Sequence, residues 1–191
     1  MSSKKIIVVH IPKTGGTSVS KGLELAGVLK RTPIHTFTDK IIKKYYHKDD
    51  LLVTIVRNPW DRALSMFTYY KQLGGGQYLD NNITFEQFCI KLFKENSQVF
   101  KNHVQKELLI RPQYDWVIRN NKNPFDHVCK FENLDEEFSK LLQLAKSNNI
   151  VPLPHLRKSK TGDYRDYHTE TTIEIISECF ASDIKEFGYE F

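Results

Sequence analysis

The sequence predicts an α/β fold: a mainly parallel central sheet flanked by helices in three layers. Two observations lead there. Residues 6–10 (IIVVH) and 51–56 (LLVTIV) are short apolar runs rich in β-branched residues, the pattern of strands buried on both faces. Each run is followed by a turn containing Gly or Pro and then by residues at helical spacing, which is how parallel strands are connected.

Taken in order, Ile6 to His10 is the first strand, and residues 12–17 form a loop rich in Gly and Pro. A helix follows from Thr17 or Ser18 to about Ala26, with Val19, Leu23 and Ala26 on one face. The second strand, Leu51 to Val56, stops at Arg57-Asn58-Pro59, where proline ends a ladder and can open a helix. Asp61 to about Lys71 is helical, with Trp60, Leu64 and Phe67 facing the core, and Gly74-Gly75-Gly76 ends that helix. Thr84-Phe85-Glu86-Gln87 has the form of a capping box and starts a short helix. His127 to Phe131 is a third strand, and Leu134 to about Asn148 an amphipathic helix carrying Phe138, Leu141, Leu142 and Ala145. One last helix is predicted from Thr169 to Phe187, with Ile173, Ile176, Phe180 and Ile184 buried and Gly188 as its C-terminal cap. No repeat or low-complexity linker interrupts the 191 residues, so a single domain over 1–191 is expected.

Composition narrows the function classes. Hydrophobic residues make up 40% and charged residues 27%, a globular mix that excludes disordered and collagen-like chains. No run approaches the ~20 apolar residues of a membrane helix. Without an apolar leader after MSSKK, a cytoplasmic location is expected. The net charge of +5 suits an anionic ligand. Cys89, Cys129 and Cys179 stand far apart without a CxxC or Cys/His ligand spacing, so three buried free thiols and no structural zinc are expected.

Two loops carry the chemistry. Residues 10–18, HIPKTGGTS, leave a buried strand and open a helix, the arrangement of a phosphate-binding loop. Gly15 and Gly16 allow close backbone approach, Thr17 and Ser18 supply hydroxyls, and Lys13 supplies a positive charge. The lysine precedes both glycines, so the Walker A order GxxxxGK[ST] fails, and no GxGxxG is present. A Gly-rich turn without a ligand is the plain alternative. In the second loop, Arg57 stands at a strand end and Ser65 eight residues later, a guanidinium fork and a hydroxyl suited to a second phosphate. Alternatively, Arg57 pairs with Asp61 while Ser65 faces solvent.

Together, HIPKTGGTS and VRNPWDRALSMF resemble the paired signature of sulfotransferases that use 3′-phosphoadenosine 5′-phosphosulfate (PAPS), most closely the carbohydrate and glycosaminoglycan branch. RPQYDWV (111–117), KFENLDEEF (130–138) and LRKSKTGDYRDY (156–167) are similar to further segments of that branch, in the same order. Ser159 stands where the cytosolic small-molecule branch carries glycine. The resemblance implies a P-loop-like nucleotide-binding sulfotransferase fold that transfers a sulfuryl group to a carbohydrate-type hydroxyl and leaves adenosine 3′,5′-bisphosphate. It assigns the 5′-phosphosulfate to Lys13, Thr14, Gly15, Gly16, Thr17 and Ser18, and the 3′-phosphate to Arg57 and Ser65, with Arg157 and Lys158 closing over the cofactor. No metal is required, because the lysine and backbone N–H groups carry the charge role that Mg²⁺ plays in kinases.

The acceptor hydroxyl needs a general base, and histidine titrates near neutrality. His35 lies between the two loops, 22 residues before Arg57, where the glycosaminoglycan branch carries its base. Alternatively it is an ordinary residue at a helix start. His10 reads as structural at a strand end and His47 as solvated. Arg111, Gln113 and Tyr114, with His35, are the candidates to bind the acceptor, and Arg119 is a further possibility. Lys40, Lys43, Lys44 and Lys48 read as a solvated face. Two other functions compete: a nucleotide-dependent kinase, opposed by the lysine's place, and a non-enzymatic polyanion-binding module. Basic residues interleaved with aromatics are missing, so no nucleic-acid partner is expected.

Overall fold

The computed structural model describes residues 3–32, 38–72, 82–95, 106–156 and 162–191. The chain runs β1 (Ile6–Val9), α1 (Gly16–Leu25), β2 (Leu29–Arg31), α2 (Thr38–Tyr45), β3 (Leu51–Val56), α3 (Pro59–Gln72), α4 (Phe85–Cys89), α5 (Lys106–Ile110), α6 (Tyr114–Val117), β4 (His127–Lys130), α7 (Leu134–Leu144), α8 (Glu170–Cys179) and α9 (Ala181–Phe187). It divides into two compact units, Met1–Arg57 with Asp115–Lys158, and Asn58–Tyr114 with Ser159–Phe191.

The first unit holds the sheet. All its strands pair in parallel in the order β2-β1-β3-β4. Alternate strand residues Ile6, Val8, Val53, Ile55 and Cys129 meet Val19 and Leu23 of α1 and Phe138, Leu141 and Leu142 of α7 in one apolar cluster. The intervening residues Ile7, Val9, Leu52 and Val56 are equally buried, so both sheet faces are covered, as the unbroken apolar runs require. From β1 the chain passes to β2 on one side and then to β3 on the other, so β1 and β3 are neighbours at the switch in strand order. In open α/β sheets the crevice at the carboxyl ends of two such strands is where ligands bind.

The second unit is helical. Trp60, Ala63, Leu64, Met66, Phe67 and Tyr70 form the buried side of α3. Asn58 ties its start: Oδ1 accepts from the Trp60 N–H at 3.0 Å, while Nδ2 donates to the Tyr164 hydroxyl at 3.2 Å and the Glu190 carbonyl at 2.9 Å. The capping box before α4 is present in both directions between Thr84 and Gln87.

Several expectations are corrected. β2, α5 and α6 have no counterpart in the sequence reading, α2 corresponds only to the alternative reading of His35 as a residue at a helix start, and α7 ends at Leu144 rather than near Asn148, with Lys146 in the left-handed region. The single last helix is two, broken at Phe180 (φ −117°, ψ 28°), although Gly188 does cap the second. Beyond the break, Asp183 is the buried residue and Ile184 is only half-buried. The Asp183 carboxylate accepts from the N–H groups of Gln113 (2.9 Å) and Tyr114 (2.7 Å), a demand that an apolar stripe does not record. All the cysteines are free, but Cys179 is half-buried rather than buried. Burial pushes the Cys129 thiol up to about 12. The glycines at 74–76 lie outside the described residues.

Candidate active site

The loop between β1 and α1 is shaped by backbone and packing together. Lys13 has φ 68° and Gly15 φ 82°, so two left-handed residues turn the chain between the strand and the helix. For lysine this conformation costs about 1–2 kcal/mol, the kind of strain that surrounding contacts hold in place at functional sites. One such contact is explicit: Arg57 Nη1 donates to the Lys13 carbonyl at 3.2 Å. Thr14 is fully buried and its hydroxyl donates to the Ile11 carbonyl at 2.9 Å, so that side chain closes the loop from inside.

The glycines sit where side chains would collide. A Cβ on Gly15 would lie 3.0 Å from Leu134 and Phe131, and one on Gly16 would lie 2.4 Å from the His10 ring. His10 therefore packs under the start of α1. Gly15 caps α1 without a side-chain hydrogen bond, and the first turn has no acidic residue. No side chain of the first turn therefore offsets the positive end of the helix dipole. Thr17 is exposed and Ser18 half-buried, with Ser18 Oγ accepting from the Leu156 N–H at 3.2 Å.

Arg57 follows β3 and is only 8% exposed. Its guanidinium stacks over the Phe131 ring at 4.0 Å, which orients the fork. Parallel pairing of β1 with β3 is what brings Lys13 and Arg57, 44 residues apart, into one place. A lysine, an arginine and an uncapped helix start at the carboxyl ends of neighbouring strands can bind a polyanion.

Other predicted site residues fall elsewhere. Ser65 is half-buried on α3 in the second unit. His35, Arg157 and Lys158 lie outside the described residues. Arg111 and Tyr114 are half-buried, but Gln113 is fully buried and its amide donates to Asp183 at 3.1 Å. Gln113 thus helps hold its segment rather than meeting solvent. Arg62, also fully buried, donates to the carbonyls of Leu109 (3.2 Å) and Arg111 (3.3 Å). Burial raises the Asp183 pKa, while Arg62 and the two N–H donors pull against that. Arg119 is committed to Asp39 and to the Asp115 carbonyl. His47 and Lys40, Lys43, Lys44 and Lys48 are exposed, as a solvated face would be. Sequence reasoning missed Arg62 and Asp183, whose only signal was charge inside apolar helical patterns.

The fold and this loop pair give an α/β protein with a candidate anion site at its strand switch. The sulfotransferase family model matches residues 2–190, and the chain belongs to that family. It is 28% identical over 93 residues to an uncharacterized protein of Archaeoglobus fulgidus, a match covering 49% of this chain and 65% of that one. A sulfotransferase from Alicyclobacillus acidocaldarius has a similar crystal structure, with TM-score 0.52 and 11% identity over 100% of this chain and 98% of that one. Mouse sulfotransferase SULT7A1, crystallised in complex with PAP, gives TM-score 0.50 and 17% identity over 97% and 87% of the two chains. At such identities the likeness to these structures is one of fold. Among the described residues no helix is long and apolar enough to cross a membrane.

Proposed function

We propose that this protein transfers the sulfuryl group of PAPS to a hydroxyl of a carbohydrate-type acceptor. The observation that carries the reading is the meeting of the Lys13–Ser18 loop with Arg57 at the ends of β1 and β3. The start of α1, with no side-chain cap and no acidic residue in its first turn, fits a phosphate ester held against backbone N–H groups. Family membership and the PAP complex of the mouse relative support the choice of nucleotide.

When bound, PAPS supplies an activated sulfuryl group whose bond to the 5′-phosphate oxygen is exchanged for one to the acceptor oxygen. Lys13 provides the positive charge at the 5′ end, where negative charge grows on the leaving oxygen. The N–H groups of Gly15, Gly16, Thr17 and Ser18 and the last two hydroxyls hold the same end. Arg57 takes the 3′-phosphate. Ser65, Arg157 and Lys158 carry their cofactor assignments from the sequence alone. His35 accepts the proton of the acceptor hydroxyl, and Arg111 and Tyr114 contact the acceptor, with Gln113 anchoring them through Asp183.

Thermal denaturation with adenosine 3′,5′-bisphosphate (PAP), ATP with Mg²⁺, and heparin separates the readings. The bisphosphate at a hundredfold excess over its Kd should stabilise the fold by about 2.7 kcal/mol, and ATP much less. Equal stabilisation by ATP contradicts the two-phosphate site and favours a kinase, whereas stabilisation by heparin alone favours a polyanion-binding module. Mass spectrometry of glycans incubated with PAPS and enzyme then identifies the acceptor by the added sulfuryl group.

A further inference from the structure

At the start of the edge strand, away from the phosphate loop, three side chains of different ligand chemistry converge. His127 and Cys129 alternate along β4 and so point to the same side of the sheet. Glu137 reaches them from the first turn of α7. An imidazole nitrogen, the thiol sulfur and a carboxylate oxygen all lie within 4.8 Å of one another. His127 Nε2 is paired with Glu137 Oε2, and Lys140 Nζ lies 2.9 Å from the other oxygen, Oε1. An ion pair alone accounts for His127, Glu137 and Lys140. The sulfur takes no part in it: Cys129 is fully buried at the edge of the apolar cluster, and its sulfur faces this pair.

We propose that His127, Cys129 and Glu137 form a binding site for one zinc-class divalent ion, with water as the fourth ligand. Nitrogen, sulfur and oxygen donors together suit a borderline-soft ion such as Zn²⁺ better than Mg²⁺ or Ca²⁺, which take oxygen ligands. Tetrahedral zinc with bonds of about 2.0–2.3 Å places its ligand atoms roughly 3.3–3.8 Å apart, so the hydrogen-bonded His127–Glu137 edge opens to admit the ion, and no edge of the triangle now exceeds 4.8 Å. On binding, the Cys129 thiol gives its proton to solvent and the sulfur bonds the metal. Thiolate and carboxylate then neutralise the two positive charges, and His127 binds as neutral imidazole. Lys140 keeps its place on Oε1 and orients the carboxylate from behind. The His127 side chain is 27% exposed and gives the ion its way in, whereas Cys129 is fully enclosed.

Such an ion stands at the end of β4 away from the phosphate loop, at a place that the cysteine spacing does not predict. His127 pairs with Val53, whereas Lys130, at the far end of β4, pairs with Val56 beside Arg57. The metal fastens β4 to α7, and the segment joining them carries Phe131, which packs beside Gly15 and under Arg57. The inference is independent of the sulfuryl-transfer reading, because binding is measured without PAPS or acceptor.

The 191-residue chain, stripped with a chelator, is titrated with Co²⁺ and then Zn²⁺. The expected result is one equivalent of Co²⁺ with a thiolate-to-metal charge-transfer band and the visible spectrum of a tetrahedral site, displaced by one equivalent of Zn²⁺. His127→Gln and Cys129→Ala should weaken Zn²⁺ by at least the roughly 10–100-fold that loss of an orienting partner costs, and Cys129→Ala should abolish the band. Zinc should raise the Tm of the parent but not of His127→Gln, with circular dichroism as the folding control. Absence of the charge-transfer band in the parent overturns the site. So does equal Zn²⁺ affinity in parent and His127→Gln, the outcome of adventitious surface binding.

Discussion

Gly16→Ala sets two effects of known size against each other. Gly16 opens α1, and alanine in a helix interior is favoured over glycine by about 0.8–1.0 kcal/mol. Against that gain, the new Cβ would stand 2.4 Å from His10 Cδ2, 2.9 Å from Nε2 and 3.0 Å from Cγ. The comfortable carbon–carbon separation is about 3.5–4.0 Å. Since Cγ is among the close atoms, spinning the ring about its own axis does not relieve the clash. The whole side chain or the loop must shift, and overpacking of that kind costs about 1–3 kcal/mol. The single variant should therefore lose up to about 2 kcal/mol once the helix gain is subtracted. In His10→Ala/Gly16→Ala the ring is gone and the helix gain returns, so the two changes should couple by about 1–3 kcal/mol. Urea denaturation of all four proteins measures this, and bisphosphate affinity should fall and recover in parallel. Stabilities that add to within about 0.3–0.5 kcal/mol would mean that His10 does not shape the loop.

Lys13→Ala should lower kcat, because its charge acts on the leaving oxygen, whereas Arg57→Ala should mainly raise the KM for PAPS; a KM-only effect at Lys13 contradicts its role. His35→Ala should keep its bisphosphate affinity and lose turnover by roughly 10²–10⁴, and near-normal turnover would mean that another group is the base. Asn58→Ala, which removes the acceptor at the start of α3 and the donor to the Glu190 carbonyl, should cost about 1–2 kcal/mol in urea denaturation. His168 is held below its ordinary value of 6.5 by burial, with the Trp60 carbonyl and Asp61 opposing. The unfolded chain therefore binds its proton more readily, and stability should fall as pH drops from 6.5 through the lower folded value. His168→Gln should flatten that part of the profile, and an unchanged slope would exclude His168 as its source.

Local chemistry was enough to set the elements on which the site stands. The apolar β-branched runs at 6–9 and 51–56 can be satisfied only as strands buried on both faces, and both are found at those places. The Thr84–Gln87 box and the cap at Gly188 depend on contacts within a few residues, so they too were readable. Lys13, Gly15 and Gly16 were visible as a loop, because glycines and a lysine between strand and helix are a local signal. β2 was not, since its three residues are mostly exposed and owe their conformation to pairing with β1. The break at Phe180 was hidden because Ile173, Ile176, Phe180 and Ile184 keep helical spacing across it, while the buried Asp183 carboxylate answers N–H groups 69 and 70 residues away. The Arg57 contact with the Lys13 carbonyl and the convergence of Glu137 on His127 and Cys129 are likewise absent from any local window. Sequence periodicity records which residues leave water. Which polar partner waits for them inside is decided only when strand order and helix packing bring distant segments together.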